Sequence, residues 1–415
     1  MERKSYIFNG NKTLCSGCGA CVQVCSRNAL SMNPDREGFL YPTLDKAKCI
    51  ECGLCEKTCP VVSISRANEY DNQRGFVATT NNEHYYKESA TIGICTMLAE
   101  VVIKEGGIVF GSYLDETVWK AYHIGVADRM GLESIRNSKY LQSDTKRTFS
   151  EVKDCLNKNK TVLFIGTPCQ IAGLKAFLNR DYQQLYLVDI ICHGVFSPIL
   201  MPLEVQYWEK KYNAKISNFR FRSKRKYKNV NGGMVNFDIL LPKGKTKHIE
   251  RHASSSPSYR AYAYSGDGNN YNLRLSCYEC PFRAKERYGD LTIGDPWLIN
   301  GSSIKNKKLK PSNSVRSIFT INTKKGVIMV DKIHLLIESQ ELSIVDLFRQ
   351  PALLKQNRRV SEVREQLYKR IENEEYSNLI ENLLHCNLDK AHELFVKQYR
   401  KSQIKRIIKY LLHLQ

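Results

Sequence analysis

The chain contains one cysteine spacing twice, close to its N-terminus. The pattern C-x2-C-x2-C-x3-C occurs first at Cys15, Cys18, Cys21 and Cys25, and again at Cys49, Cys52, Cys55 and Cys59. In such a run three thiolates surround one iron–sulfur cubane, and the fourth reaches the neighbouring cubane. This crossing predicts that cluster one is held by Cys15, Cys18, Cys21 and Cys59, and cluster two by Cys49, Cys52, Cys55 and Cys25. A zinc ribbon is the alternative, but it uses pairs of C-x2-C and leaves the other cysteines without a role. The runs therefore predict two 4Fe-4S clusters.

The cysteine content and the charge indicate the compartment and the kind of partner. The chain has 15 cysteines, and its first residues, MERKSYIFNG, lack the apolar core of a signal peptide. No stretch approaches about 18 uninterrupted apolar residues. We therefore expect a cytoplasmic protein whose cysteines bind metal or carry out redox chemistry. The formal net charge of +21 predicts an acidic partner, such as an electron-carrier protein, and the absence of a nucleic-acid-binding motif argues against nucleic acid.

After a polar linker, the hydrophobic pattern alternates between helix and strand. TVLFI at 161–165 and LYLVDII at 185–191 are typical of buried strands, and a helical pattern follows the first of them. This alternation predicts an α/β domain with a largely parallel sheet over residues 76–330. Residues 331–415 predict a helical C-terminal region. The expected fold is thus an α+β module at residues 1–65, a larger α/β domain and a helical tail.

Four further cysteines suggest a third site. Cys169 and Cys192 follow two predicted strands, at the edge where parallel sheets collect ligands, and Cys277 and Cys280 form an isolated C-x2-C. Together they are enough ligands for another cubane or for a tetrahedral zinc. Unpaired cysteines are also common packing residues, which is how we interpret Cys95, Cys155 and Cys386. Because Cys169 begins a predicted helix, the helix dipole is expected to lower its thiol pKa.

Two resemblances support these sites. Residues 1 to about 62 resemble bacterial two-cluster ferredoxins, which implies that this segment transfers electrons at low potential. Residues 76 to about 300 resemble the coenzyme F420 hydrogenase/dehydrogenase beta-subunit family, which includes relatives such as 7-hydroxymethyl chlorophyll a reductase. The matching strings are SKYLQS (138–143), VLFIGTPCQIAGLKAFL (162–178), VDIICHGVFSP (189–198), FRFRSK (219–224), CYECPF (277–282) and DLTIGDPW (290–297). The second resemblance implies a domain that binds FAD beside a 4Fe-4S cluster, with Cys169, Cys192, Cys277 and Cys280 as that cluster's ligands.

Flavin contacts are predicted in three short stretches. The amides of the turn at Gly166 and Thr167 are placed to meet a phosphate or a ring carbonyl, and an ordinary polar loop is the alternative. The stretch Ser89 to Gly93 corresponds to a serine-rich, double-glycine turn of the family, with Ile92 in place of one glycine. The predicted cofactor-binding residues are Ser89, Gly93, Lys139, Tyr140, Gln142, Ser143, Gly166, Thr167, Pro168 and Gln170.

Catalytic and surface features are fewer. His193 titrates near neutrality and is a candidate proton donor to a reduced substrate, although a structural hydrogen bond is the commoner role of a histidine at a strand end. Lys139 is the second catalytic candidate. The basic segment 219–229 is either a docking strand for an acidic ferredoxin or a solvated edge. The last helix has an apolar face, formed by Ile404, Ile407, Ile408, Leu411 and Leu412. This face either packs against the rest of the protein, which is the interpretation we favour, or contacts a membrane surface.

Together these features predict an iron–sulfur flavoprotein oxidoreductase. Electrons would pass between ferredoxin-type clusters, a third cluster and FAD, and from there to a small-molecule acceptor or donor. The alternative is an electron-transfer subunit that has no substrate of its own and feeds a partner enzyme. The sequence identifies neither the substrate nor the direction, and the resemblance does not establish that coenzyme F420 is used.

Overall fold

The structure is a computed structural model of the 415-residue chain. It describes residues 4–63, 68, 72–222, 233–263, 269–296, 299, 301–310, 315–347 and 359–412. Spatial contacts divide the chain into two compact units. Unit 1 comprises Met1–Ile199, Arg222–Gly232 and Leu273–Arg359, and unit 2 comprises Leu200–Phe221, Gly233–Asn272 and Val360–Gln415. These units do not coincide with the three sequence segments, which stay a prediction.

The described strands are numbered in chain order. They are β1 (Leu30–Pro34), β2 (Leu40–Leu44), β3 (Arg74–Thr79), β4 (Ile108–Asp115), β5 (Lys120–Val126), β6 (Ser143–Asp144), β7 (Val162–Gly166), β8 (Leu185–Ile190), β9 (Ile216–Arg220), β10 (Met234–Leu240), β11 (Thr246–His252), β12 (Leu291–Gly294), β13 (Ser317–Ile321) and β14 (Glu338–Leu342).

The helices are numbered in the same way. They are α1 (Tyr6–Asn9), α2 (Ala20–Gln23), α3 (Leu54–Lys57), α4 (Glu83–Glu88), α5 (Ile94–Lys104), α6 (Arg129–Ile135), α7 (Thr148–Asn157), α8 (Pro168–Leu178), α9 (Leu200–Tyr212), α10 (Pro257–Ala263), α11 (Lys324–Ile333), α12 (Ile344–Leu347), α13 (Glu362–Arg370), α14 (Tyr376–Leu383) and α15 (Leu388–Leu412).

A nine-stranded mixed sheet forms the centre of unit 1, in the order β14-β3-β13-β12-β8-β7-β4-β5-β6. Its middle strands β12, β8, β7 and β4 are mutually parallel, whereas β12 with β13, β13 with β3 and β4 with β5 pair antiparallel. The prediction of an α/β fold is confirmed. The expectation of a largely parallel sheet is wrong outside these four strands: β14 also pairs antiparallel with β3, and among the described outer pairs β5 with β6 alone is parallel.

The middle strands are apolar because both faces of the sheet are covered. In β7, Val162 and Phe164 belong to the core cluster that also contains residues of α8, while Leu163 belongs to the cluster that contains residues of α5. This alternation follows the two-residue period of a strand. Because β7, β8 and β12 are adjacent and parallel, their carboxyl ends lie side by side. The segments that follow these ends carry the candidate site.

The N-terminal segment of unit 1 contains a hairpin and short helices. β1 and β2 pair antiparallel, and α2 and α3 each follow a glycine with positive φ, Gly19 (φ +78°) and Gly53 (φ +74°). Such angles are readily adopted only by glycine, so each cysteine run can turn sharply before its helix.

Unit 2 has its own small core. The sheet β11-β10-β9 is antiparallel, and Trp208 of α9 is fully buried with its ring 5.1 Å from that of Phe237. In the basic segment 219–229, β9 ends at Arg220, and residues 223–229 lie outside the described residues.

In its described residues the C-terminal region is mainly helical. Residues 338–342 form β14 at the edge of the large sheet, with alternating exposure, so the expectation of helices throughout is wrong there. In α15, Ile404 and Ile408 are 57% and 50% exposed, and the side chains of Ile407, Leu411 and Leu412 lie outside the described residues. The expected packing of this face therefore stays a prediction. Within the part of the chain that the structure describes, no helix is both long and apolar enough to cross a membrane.

Candidate functional site

The two cysteine runs line two separate cavities. The first, the cluster-one cavity, is lined by Cys15, Cys18, Cys21 and Cys59. The second, the cluster-two cavity, is lined by Cys25, Cys49, Cys52 and Cys55. Each cavity joins three cysteines of one run to the last cysteine of the other, which is the grouping that the crossed spacing predicts. The donor set suits a cubane, because iron–sulfur clusters are held by four thiolates.

The two cavities differ in their exposure to solvent. Cys18 in the cluster-one cavity is buried, whereas Cys52 in the cluster-two cavity is exposed, as are its neighbours Ile50 and Leu54. Burial raises the pKa of the Cys18 thiol to about 12 and also raises the pKa of Cys59. Because metal ligation requires the thiolate, binding at the cluster-one cavity must release protons from these thiols.

The third site brings together residues from three separate segments. Cys169 lies in the first turn of α8, Cys192 follows β8, and Cys277 ends a short 3-10 turn that is followed by Cys280. Each of Cys169, Cys192 and Cys280 has its thiol pKa raised first by burial and then by neighbouring thiols of the same set. The four cysteines are thus close enough to interact electrostatically.

A glycine allows this approach. Gly194 follows the Cys192 loop with φ +111°, and a Cβ atom there would lie 2.9 Å from Leu273 and 3.2 Å from the Cβ of Cys277. The N–H of Gly194 also donates to the Cys192 sulfur at 3.4 Å. A larger residue would push the two loops apart.

Among the described residues no group of three or more His, Cys, Asp or Glu side chains is arranged to hold a single metal ion.

The expected lowering of the Cys169 pKa is wrong. The helix begins beside this cysteine as predicted, and Thr167 lies 3.1 Å from its sulfur, a contact that lowers the pKa. Burial nevertheless raises the pKa of the thiol well above its usual value, and the nearby thiols of Cys280 and Cys192 raise it further. The field at the helix N-terminus is outweighed by the loss of water around a buried thiolate.

A buried ion pair lies next to the third site and holds two of its segments together. Asp189 at the end of β8 accepts a hydrogen bond from Arg287 at 2.8 Å and others from the backbone N–H groups of Tyr288 and Gly289. Both charged side chains are almost completely buried, at 0% and 2% exposure for the two residues. These contacts attach the segment that follows Cys280 to the parallel strands.

Replacing Asp189 by asparagine should destabilise the protein strongly. The variant leaves the Arg287 guanidinium buried without its counter-ion, and breaking one partner of a buried pair costs about 3–5 kcal/mol. We expect the temperature of anaerobic thermal unfolding to fall by several degrees. Asp45→Asn, at an exposed pair with Lys48, is the control and should leave it unchanged. Equal melting of Asp189→Asn and wild type would contradict this role.

The predicted flavin residues around the turn after β7 hydrogen-bond mainly to other protein groups. Thr167 is the N-cap residue of α8 and precedes Pro168, and both its N–H and its hydroxyl donate to the side-chain oxygen of Gln170. The side-chain nitrogen of Gln170 donates to the carbonyl of Ser143. The hydroxyl of Ser143 contacts His123. Gly166 lies beneath them, and a Cβ there would meet the Gln170 side chain at 3.2 Å. This network shapes the turn after β7.

The SKYLQS segment is likewise engaged. Lys139 donates to the carbonyl of Arg136 at 2.8 Å, and the Tyr140 hydroxyl accepts a hydrogen bond from Arg222, which also forms a bidentate pair with Asp295. The side-chain oxygen of Gln142 accepts the N–H of Leu40 at 2.9 Å, which ties this segment to the ferredoxin-like hairpin.

His193 accepts a hydrogen bond from Arg283 through its carbonyl oxygen, and the role of its imidazole stays a prediction.

The turn from Ser89 to Gly93 lies directly before α5. Gly93 adopts φ +84° and caps α5. Ile92, which replaces a glycine of the family's turn, is fully buried among core residues of α5 and the sheet. Its bulk is therefore accommodated in the core.

Arg316 is a residue that the sequence analysis missed. It lies just before β13 and is 3% exposed, and within the described chain its Nε and Nη1 atoms have no hydrogen-bond acceptor. The Ser89 hydroxyl is also buried without a partner there. The two loops are adjacent, because the Ser317 hydroxyl donates to that of Thr91 at 2.5 Å. Buried donors of this kind fit an anionic group such as a diphosphate. Nothing in the sequence marks Arg316, since it precedes an ordinary apolar strand.

Two parts of the chain match known protein families. Residues 159–345 match the family described as the C terminus of the coenzyme F420 hydrogenase/dehydrogenase beta subunit, and residues 14–63 match the 4Fe-4S dicluster domain. A similar curated protein is the coenzyme F420-dependent sulfite reductase of Methanocaldococcus jannaschii, 25% identical over 201 residues, which are 47% of this chain and 29% of the relative. Another is an iron-sulfur subunit of the CoB–CoM heterodisulfide reductase of the same organism, 35% identical over 72 residues, 14% of this chain and 11% of the relative.

The chain thus spans less than a third of either curated relative. A chain from the structure of the F420-reducing [NiFe] hydrogenase complex of Methanosarcina barkeri aligns with 74% of this chain and 95% of its own length, at 15% identity and a TM-score of 0.42. The cysteine grouping in the two N-terminal cavities and the match of residues 14–63 both indicate a 4Fe-4S dicluster domain, and it is followed by a segment similar to the C terminus of the coenzyme F420 hydrogenase/dehydrogenase beta subunit.

Proposed function

We propose that the chain is an iron–sulfur flavoprotein oxidoreductase that passes electrons between two ferredoxin-type clusters, a third 4Fe-4S cluster and FAD. The observation that carries this proposal is the convergence of Cys169, Cys192, Cys277 and Cys280 in the same compact unit as the two ferredoxin-like cavities. Four thiolates gathered from three segments are the donor set of a cubane.

One close contact supports an order for the proposed centres. Cys18 of the cluster-one cavity packs against Gly173 of α8, where a Cβ would lie 2.9 Å from the Cys18 sulfur. Cys169 of the third site is in the first turn of the same helix. The cluster-one cavity is therefore the inner one, next to the third site, and the cluster-two cavity with its exposed Cys52 is the outer one. We infer the electron route cluster two, cluster one, third cluster, in either direction.

The flavin would lie at the carboxyl edge of the sheet, where parallel sheets collect their ligands. Arg316 and Ser89 would hold its diphosphate, and the turn at Gly166 and Thr167 would face its ring. When bound, FAD exchanges two electrons as hydride with an organic substrate and single electrons with iron–sulfur centres. The buried side chains of Arg316 and Ser89 would bind and orient the cofactor there.

The outer cavity is the place where we expect an electron carrier to dock. Ile50 and Leu54 are 61% and 42% exposed beside Cys52, and the chain carries a net charge of +21. An acidic carrier such as a ferredoxin fits this charge and would approach cluster two most closely.

A second function is favoured by the beta-subunit description of the matched family. In that case the chain feeds electrons to a partner enzyme and has no substrate of its own. Turnover of the purified chain alone with a chemical reductant and candidate acceptors would favour the first function. Turnover only after a partner is added would favour the second.

Cofactor content tests the proposal directly. Anaerobic purification should yield about twelve irons with matching acid-labile sulfide, and one FAD, per chain, because three cubanes contain four irons each. About eight irons would remove the third cluster from the scheme. A chain with twelve irons that neither contains FAD nor takes it up on reconstitution would contradict the flavin part.

A further inference from the structure

One arginine connects the first cysteine run to the third site. The Nε atom of Arg274 donates to the carbonyl of Cys15 at 2.8 Å, and its Nη2 atom lies 3.5 Å from the Cys15 sulfur. On the other side, the carbonyl of Arg274 accepts the N–H of Cys277 at 2.9 Å. The same residue therefore contacts a ligand of the cluster-one cavity through its side chain and a ligand of the third site through its backbone.

The local sequence makes room for this guanidinium. Gly17, between the first two cysteines, has φ +70°, and a Cβ atom there would lie 3.0 Å from the Cζ of Arg274. The ring of Tyr41 covers the guanidinium at 3.9 Å. Any residue other than glycine at position 17 would collide with the arginine or with the turn that the first cysteine run needs.

The guanidinium is buried without a carboxylate partner. Arg274 is 0% exposed, and the acceptors of its side chain are the carbonyls of Cys15 and Leu40, the side-chain oxygen of Gln142 and the Cys15 sulfur. Among the described residues none of its partners is an aspartate or a glutamate. A buried charge is costly unless an opposite charge compensates it. A cubane with four thiolates carries roughly two negative charges and would supply that compensation.

The cluster-two cavity has no equivalent among its described lining residues. The arginine that lines it, Arg27, is exposed to solvent, as are Cys52 and Glu51. Water screens an exposed charge far more than a buried one. The positive charge beside the two cavities is therefore asymmetric.

We propose that Arg274 is the fixed counter-charge of cluster one and makes cluster one easier to reduce than cluster two. An electron delivered to cluster two by a reduced carrier would then pass to cluster one, so that cluster two would be oxidised and cluster one reduced by that one electron. A positive hydrogen-bond donor next to a ligand sulfur stabilises the reduced cluster, which carries one more negative charge. This inference rests on the proposed clusters, and it makes Arg274 a positioning residue that acts through the cluster.

The test is a redox titration followed by electron paramagnetic resonance on anaerobically purified protein. In Arg274→Gln we expect reduction of cluster one to become at least about tenfold less favourable, a shift of about 59 mV to lower potential for one electron, with cluster two unchanged. Arg274→Lys keeps the charge and should recover most of the shift. A water-soluble paramagnetic relaxation agent distinguishes the signals, because it acts first on the more exposed cluster two.

A matched control separates charge near a cluster from loss of any buried arginine. Arg364 is 2% exposed and lies over the ring of Tyr368 at 4.7 Å, so Arg364→Gln should lower stability without moving either potential. Loss of cluster one in Arg274→Gln but not in Arg274→Lys would also support the counter-charge. An unchanged potential in Arg274→Gln, or equal effects of Gln and Lys, would overturn it. Wild-type protein that binds no iron would instead refute the proposed function.

Discussion

Replacing Cys169 by serine is expected to disconnect the ferredoxin-type clusters from the proposed flavin. Iron should fall from about twelve to about eight per chain, because a cubane that loses one of its thiolates is no longer held. The two N-terminal clusters should still be reduced by a chemical reductant, while reduction of the flavin through them falls at least about a hundredfold. Cys277→Ser should give the same result, since it removes another thiolate of the same site.

Cys155→Ser is the matched control for this experiment. Cys155, Cys169 and Cys280 are partly buried and pack against the same core cluster, so the substitutions have similar packing consequences. Cys155→Ser should retain about twelve irons and normal flavin reduction. If Cys169→Ser retains twelve irons, or if Cys155→Ser loses as much iron as Cys169→Ser, the third site does not hold a cluster.

The grouping of the N-terminal cysteines is readable from sequence because the constraint is local. A run such as Cys15, Cys18 and Cys21 can surround one centre only with a tight turn, and the fourth cysteine is then carried away by the following helix. The sequence also places Cys169 and Cys192 at one sheet edge, because the carboxyl ends of parallel strands meet there. Both deductions depend on spacing and on strand direction, and neither needs the tertiary packing.

Features that depend on tertiary contacts cannot be read in this way. Arg274 and Arg316 are buried by segments far away in sequence, and no local pattern distinguishes them from surface arginines. The predicted pKa direction of Cys169 is wrong for the same reason, because the helix start is visible in the sequence and the burial is not. The antiparallel flanks of the sheet likewise depend on which strands meet. The function of Gln142 in linking SKYLQS to Leu40 emerges only once both segments are folded.

Replacing Arg316 by glutamine is expected to have opposite effects on flavin binding and on the stability of the flavin-free protein. Burial lowers the pKa of Arg316, which is the mark of a cation that is costly to keep inside the fold. Removing an unpaired buried charge is neutral or stabilising when the ligand is absent. With FAD bound as proposed, the same variant would lose charge-assisted hydrogen bonds to the diphosphate, each worth about 1.5–3 kcal/mol.

We therefore expect flavin-free Arg316→Gln to unfold at or above the wild-type temperature, and its dissociation constant for FAD to rise at least about tenfold. Calorimetry on deflavinated protein and fluorescence titration with FAD measure the two quantities. Ser89→Ala should weaken FAD binding in the same direction, since it removes the second buried donor proposed to hold the diphosphate. Arg74→Gln, at a half-exposed pair with Glu341, controls for loss of a positive charge and should change neither quantity. Unaltered FAD affinity in Arg316→Gln would place the diphosphate elsewhere, whereas a large loss of stability without flavin would show that Arg316 is a structural residue.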